Sequence, residues 1–148
     1  MKYTVRTRIE IDAPATVVWD LLIDLDQYHR WNPFIVRAKG RIAPGARVEV
    51  SPQLTPTRST TFWPDVTRYV EGSEFAWTGV VGHRWLAKGE HIFRLRALAG
   101  GRVLLEHDEV FFGIAAPLVG LVAGKLTERG FDAMNEALKR EAEARSRA

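Results

Sequence analysis

The chain has 148 residues, the length of one ordinary domain, and it contains no cysteine, which excludes disulfides, thiolate catalysis and thiolate-bound metals. Its 21 basic and 18 acidic residues give a net charge of +3 and are interspersed, whereas a nucleic-acid-binding protein clusters its positive charge. The charged first residues do not resemble a signal peptide, and the longest apolar run, 113–124, is too short to span a bilayer. We therefore expect a single, soluble, cytoplasmic domain over residues 1–148 that has no membrane span and binds no nucleic acid.

The amino-terminal segment predicts one strand followed by two short helices. Residues 3–11 alternate between inward and outward side chains, the pattern of a half-buried strand. Pro14 then suits the first position of a helix, and apolar residues at helical spacing extend this helix over 14–22. Asp24 can cap a second short helix that runs through Trp31.

The rest of the chain predicts strands and then one long helix. Turn residues separate six strand-like segments, which are 34–41, 46–51, 60–70, 74–81, 85–97 and 102–112. A helix follows over 116–145, and its glycines at 120, 124 and 130 indicate either close approach to the sheet or a bend. Short connections between strands imply antiparallel pairing. We predict an α+β fold in which a curved seven-stranded antiparallel sheet wraps around the C-terminal helix and encloses a cavity of roughly 300 Å3 or more.

The last hairpin can be placed in register from the sequence. A two-residue turn at Gly100-Gly101 would mix acidic and apolar side chains on one face, whereas a three-residue loop over 99–101 separates them. With the longer loop, Leu95 pairs with Leu105, Phe93 with His107, and His91 with Glu109. The inner face then carries apolar residues and three polar ones. The outer face carries Arg94, Arg96, Glu106 and Asp108, and we expect it to be hydrated.

The three polar residues on the inner face are His91, His107 and Glu109. They are either a hydrogen-bonded structural cluster or polar anchors for a ligand, and acid–base catalysis by the same residues is a third alternative. The spacing of a helical zinc motif is absent, so we predict no metal site. The other two histidines, His29 and His83, are expected at the surface.

Five tryptophans are many for this length, and aromatic residues near strand and helix ends can line the mouth of a cavity or simply fill the core. Besides the polar trio, the residues expected to contact a ligand are Trp31, Phe34, Trp63, Trp77, Trp85, Phe93, Phe111, Leu118, Val122 and Leu126.

Several short motifs occur in the order typical of one superfamily. They are Ile9-Glu10-Ile11-Asp12-Ala13-Pro14, Val18-Trp19, Trp31-Asn32-Pro33-Phe34, Trp77-x-Gly79, Gly89-Glu90-His91, His107-x-Glu109-x-Phe111-x-Gly113 and Gly130-Phe131. Together they make the chain similar to the SRPBCC superfamily, also called START-like or birch-pollen-allergen-like, and within it to the polyketide cyclase/dehydratase-like branch. The resemblance runs over residues 3–144.

This resemblance implies a helix-grip fold with a hydrophobic cavity between the sheet and the C-terminal helix. Its members include lipid and sterol carriers, polyketide cyclases and dehydratases, coenzyme Q-binding proteins and chaperone activators, and it implies no cofactor here. The favoured hypothesis is binding or carriage of a small hydrophobic or amphipathic molecule in that cavity. The alternatives are a cyclase or dehydratase that uses the polar trio, and an interaction protein with an apolar patch over 118–122. Weak homodimerisation is a further open alternative.

Overall fold

The structure, a computed structural model, describes residues 1–83 and 86–148. It confirms the α+β prediction, because a long C-terminal helix packs against antiparallel strands. The described residues form eight strands, which are β1 (Lys2–Ile11), β2 (Ile35–Lys39), β3 (Glu49–Thr55), β4 (Arg58–Ser59), β5 (Asp65–Val70), β6 (Glu74–Val80), β7 (Lys88–Ala97) and β8 (Val103–Phe112). The helices are α1 (Ala15–Ile23), α2 (Tyr28–Trp31) and α3 (Ala116–Arg147), and a short 3-10 turn (Leu25–Gln27) precedes α2.

The predicted number of seven strands is wrong by one. The chain turns at 56–57 and returns along β3 as the two-residue strand β4, which the sequence pattern did not indicate. The strand predicted over 60–70 begins only at Asp65. Pro64, which directly precedes it, has no backbone N–H to contribute to a strand ladder.

The strands form one curved wall. Five of them pair in the order β1-β8-β7-β6-β5, and the remaining three pair in the order β2-β3-β4. Isolated bridges at Arg47–Asp65 and Val50–Phe62 join the two groups. Helix α3 contacts β1 and β8 at one end of this order, and at the other end Phe131 packs against Phe34, just before β2. One helix can touch both ends only if the wall curves around it.

Close packing holds α3 against the wall. A Cβ atom added at Gly120 would lie 2.1 Å from Cγ of Tyr3, and one added at Gly130 would lie 2.2 Å from Cδ1 of Phe34. Gly124 likewise faces the hydroxyl of Tyr3, which a Cβ atom there would approach to 2.7 Å. The predicted close approach of these glycines is therefore confirmed. In the second half of α3, Lys139 Nζ donates to the carbonyl oxygen of Glu10 at 3.0 Å.

The predicted register of the last hairpin is confirmed, since Leu95 faces Leu105, Phe93 faces His107 and His91 faces Glu109. The loop over 99–101 closes it with Gly100 and Gly101 at positive φ.

The expectation of a hydrated outer face is wrong for the two carboxylates of β8. Glu106 and Asp108 are each only 6% exposed. Arginine side chains cover them: Arg96 lies 2.9 Å and Arg8 3.3 Å from Glu106, and Arg94 lies 3.8 Å from Asp108.

None of the helices within the described residues combines the length and the hydrophobicity that a membrane span requires.

Candidate functional site

A cavity of about 140 Å3 lies between the curved wall and α3. Apart from His91, Glu109 and Thr127, its described wall consists of apolar side chains and glycine, and it contains no lysine or arginine. The volume is smaller than the roughly 300 Å3 that we expected, because aromatic rings fill much of the interior. It is close to that of a cavity of about 150 Å3 that is known to hold benzene. The described site therefore has room for one small ring or for part of a larger molecule.

The turn before β2 places the first aromatic wall residue. The side-chain oxygen of Asn32 accepts hydrogen bonds from the backbone N–H groups of Phe34 and Ile35, both at 2.9 Å. Pro33, between Asn32 and Phe34, has no backbone N–H group. The first two backbone N–H groups after Asn32 are therefore those of Phe34 and Ile35, and Asn32 accepts from both. The turn thereby directs Phe34 onto Phe131 of α3, with ring centroids 5.7 Å apart.

Two glycines leave space for the acidic residue of the wall. Gly79 of β6 and Gly89 of β7 face each other in the sheet and both line the cavity. A Cβ atom at Gly89 would lie 2.9 Å from Oε2 of Glu109, whereas one at Gly79 would meet only Pro64, at 3.4 Å. Gly89 is therefore the position at which a side chain would displace the Glu109 carboxyl group.

The polar trio belongs to a longer hydrogen-bonded chain that starts behind the cavity. The Thr7 hydroxyl donates to the carbonyl oxygen of His107 at 2.7 Å, so its oxygen accepts from Nδ2 of Asn135 at 2.9 Å. The amide oxygen of Asn135 then faces Nδ1 of His107 at 2.6 Å, and Nε2 of His107 lies 2.7 Å from Nε2 of His91. His91 Nδ1 is 3.9 Å from Oε1 of Glu109.

This chain fixes the tautomers of both histidines. Because the Asn135 oxygen can only accept, Nδ1 of His107 must donate to it. Nε2 of the neutral His107 ring is then an acceptor, and Nε2 of His91 donates to it. Nδ1 of His91 is consequently left without a proton, as a hydrogen-bond acceptor on the side of the ring that faces Glu109.

Burial keeps all three members of the trio uncharged near neutral pH. Burial lowers the pKa of His107 to about 3, although its hydrogen bond to Asn135 acts in the opposite direction. Burial and the neighbouring His107 ring lower the pKa of His91 well below 6.5. Burial, reinforced by Glu90, raises the pKa of Glu109 to about 8. His91 and Glu109 are therefore not an ion pair, but a neutral acceptor beside a protonated carboxyl group.

The structure brings five of the predicted ligand residues to the cavity wall: Phe34, Trp77, His91, Glu109 and Phe111. Phe93 and His107 are buried behind this wall and do not line it. Trp85 lies outside the described residues.

The other predicted ligand residues lie elsewhere. Trp31 packs edge-on against Tyr28, at a centroid distance of 5.2 Å. Trp63 is 59% exposed, and its indole N–H donates to Glu49, while the neighbouring Phe62 faces the cavity instead. Leu118 and Val122 face solvent, and Leu126 borders a separate surface groove.

The expected helix face was wrong by one residue. The stripe that lines the cavity is Val119, Ala123, Thr127 and Phe131, each four residues after the last. Residues 116–124 at the start of α3 are apolar on every side of the helix, so hydrophobicity alone could not select a face there. Gly120 and Gly124 lie against Tyr3 of β1 and so mark the side of the helix that faces the sheet. These two glycines could have identified the correct helix face from the sequence. Other wall residues that the sequence did not indicate are Ile35, Val50, Pro52, Leu54, Phe62, Pro64, Val80 and Val81.

Known proteins share the sequence pattern and the fold described above. Residues 2–143 match the family described as polyketide cyclase / dehydrase and lipid transport. The chain belongs to this family. The predicted membership of the polyketide cyclase-like branch of the START-like superfamily is thereby confirmed. No curated protein matches the sequence.

Solved structures share the fold of this family member. An aromatase/cyclase, Zhui from Streptomyces sp. R1128, is 22% identical with a TM-score of 0.78, over 100% of this chain and 98% of that one. A START superfamily protein from Mycobacterium smegmatis is 21% identical with a TM-score of 0.74, over 95% and 97%. A protein from Thermus thermophilus is 14% identical with a TM-score of 0.74, over 97% and 99%. At these identities the likeness establishes the fold alone.

Proposed function

We propose that this protein binds, and in that way carries, a small hydrophobic or amphipathic molecule in the cavity between the sheet and α3. The observation that carries this proposal is a mostly apolar cavity in whose wall two ionisable side chains, His91 and Glu109, lie 3.9 Å apart. Apolar pockets with a few placed polar groups are the usual form of small-molecule sites. Lipid transport in the description of the family supports the same function.

A cavity-filling substitution tests this proposal. Ala123 lines the cavity from α3, so Ala123→Phe should occupy the space that a ligand needs. The matched control is Ala144→Phe, since Ala144 is exposed on the same helix. Calorimetric titration with toluene should show binding to the wild type and to Ala144→Phe, and binding at least tenfold weaker to Ala123→Phe. No toluene binding by the wild type, or equal binding by both variants, would refute the proposal.

Acid–base catalysis of the cyclase or dehydratase type is a second candidate function. The protonated Glu109 beside an imidazole inside the cavity favours it, since such a pair can donate and accept a proton. Against it stands the lowered pKa of His91, which makes that ring a weak base. NMR titration of the His91 ring in the presence of a bound phenol decides between the two. A ring that stays neutral from pH 5 to 9 excludes it as the base.

The exposed apolar face of α3 favours a protein-interaction role, and we propose a second copy of the chain as the partner. Leu118, Leu121 and Val122 of α3, together with Ile114 just before the helix, are all largely exposed, Leu121 to 80%. Contiguous apolar patches on soluble proteins commonly mark interaction sites. Sedimentation equilibrium should show weak association that Leu121→Ser with Val122→Ser abolishes. A wild type that remains monomeric at high concentration would exclude this role.

A further inference from the structure

We propose that the cavity selects small, neutral aromatic molecules that carry a hydroxyl group, and that Glu109 and His91 bind this hydroxyl together. The inference rests on the proposed binding function and adds the chemical class of the ligand. It follows from the hydrogen-bonding roles of the two side chains, from the distance between them, and from the absence of lysine and arginine in the described wall.

His91 presents an acceptor because its donor is used elsewhere. Its Nε2–H is committed to His107, which is itself held by Asn135 and, through Asn135, by Thr7. Rotating the His91 ring would break this buried chain and leave polar groups without partners, and burial lowers the pKa of the ring, which disfavours a proton on Nδ1. The ring can therefore offer only its Nδ1 lone pair to a ligand, and that lone pair calls for a ligand that donates.

Glu109 presents the complementary donor. Its carboxyl group is buried and has no cationic partner among the described residues of the wall, so it keeps its proton. Oε1 of Glu109 and Nδ1 of His91 are 3.9 Å apart, too far to bond to each other. A single oxygen atom can lie about 2.8 Å from both. A hydroxyl group satisfies both partners at once, because it donates to His91 and accepts from Glu109.

The remainder of the wall defines the body of the ligand. The described wall contains the rings of Phe34, Trp77, Phe111 and Phe131, and a volume close to that of a benzene-binding cavity. Aromatic rings pack favourably against such rings in offset or edge-on contact. A carboxylate ligand would bring a negative charge into an apolar cavity, and the described wall has no lysine or arginine to balance it.

Four matched ligands test this inference: phenol, toluene, benzoate and benzylamine, titrated calorimetrically at pH 6.5. Phenol and toluene differ by a hydroxyl in place of a methyl group. An entirely apolar cavity would prefer toluene, because phenol gives up its hydrogen bonds to water on entry. We expect the wild type to bind phenol about tenfold more tightly than toluene. Benzoate and benzylamine should bind more weakly than phenol.

Variants at Glu109 identify the group responsible. Glu109→Leu should still bind toluene, which shows an intact cavity, but should lose or reverse the preference for phenol. Glu109→Gln should retain the preference, because its amide N–H can still donate. Glu136→Leu, on the exposed face of α3, is the matched control and should behave as the wild type.

The outcomes separate the ligand class from binding itself. A wild type that binds toluene as tightly as phenol, or a Glu109→Leu variant that keeps the preference, overturns the inference but leaves the binding function standing. Tighter binding of benzoate or benzylamine than of phenol also overturns it. Failure of both toluene and phenol to bind refutes the proposed function, and the inference fails with it.

Discussion

Raising the pH from 6.5 to 8 should destabilise this protein through one carboxyl group, that of Glu109. Its ordinary pKa is 4.5, and burial raises the pKa to about 8 in the folded chain. Between these values the folded protein holds a proton that the unfolded chain has released. The stabilisation is thus fully present below pH 4.5 and is lost as the pH rises through about 8. Stability must therefore fall on the alkaline side.

The size of the effect follows from the same two values. One proton that is bound only in the folded state changes the free energy of unfolding by about 1.4 kcal/mol per pH unit. The slope flattens as Glu109 begins to ionise, so the loss from pH 6.5 to 8 is about 1.5 kcal/mol. Within the described residues, His91 lies 3.9 Å from Glu109, and Glu90, also of β7, acts on Glu109 from the other face of the sheet, where it pairs with Arg68. His91 is neutral throughout this interval and therefore adds nothing to the slope.

The acid side should show the opposite slope. The pKa values of His91 and His107 are lowered from 6.5, so their contribution is fully present above pH 6.5 and is lost as the pH falls toward 3. In that interval two histidines outweigh the single carboxyl group. We therefore expect the greatest stability near pH 6.5.

Urea unfolding of the wild type and of Glu109→Gln, from pH 5 to 9, measures both slopes. The glutamine variant should lose the alkaline slope, and its acid slope should become steeper because the opposing contribution of Glu109 is gone. Subtracting its curve removes the contributions of all other groups. Equal alkaline slopes in the two proteins would show that the fold does not keep Glu109 protonated. Glu109 could then not serve as the hydrogen-bond donor in the cavity.

Four substitutions test the packing around the site. Gly89→Ala should displace the Glu109 carboxyl and lower stability by about 1–3 kcal/mol, while Gly79→Ala, whose new methyl meets only a proline at 3.4 Å, should change it by less than about 0.5 kcal/mol. Equal effects in thermal unfolding would contradict the close contact at Gly89. Asn135→Leu should lower the free energy of unfolding by about 1–3 kcal/mol, because it leaves a buried imidazole N–H without an acceptor, and a neutral result in urea would contradict the inferred chain. Trp77→Ala should cost about 3–5 kcal/mol, since the ring is 3% exposed, and a loss of under about 1 kcal/mol by the same measurement would argue against tight packing there.

The order of elements, the antiparallel pairing and the last hairpin could be predicted from the sequence. In the middle of β8 the apolar residue Leu105 is followed by Glu106 on the other face, so a shift by one residue would have placed Glu106 among the inward apolar side chains. That constraint is local and periodic, so the sequence alone predicts that His91 lies opposite Glu109, as it does in the structure. The resemblance of short motifs in a fixed order then identified the family, which the comparison over residues 2–143 confirmed.

The tertiary structure alone decided which side chains meet across the interior. The exposed face of Leu118 and Val122 and the cavity face of Val119 and Ala123 are equally apolar, and only the close contact of the helix with Tyr3 distinguishes them. The hydrogen-bond partner of His107 could not be predicted from the sequence either. Asn135 is distant in the sequence and contacts His107 only when α3 packs against the sheet. Periodicity reports what lies on each element, whereas hydrogen bonds between elements depend on how those elements pack.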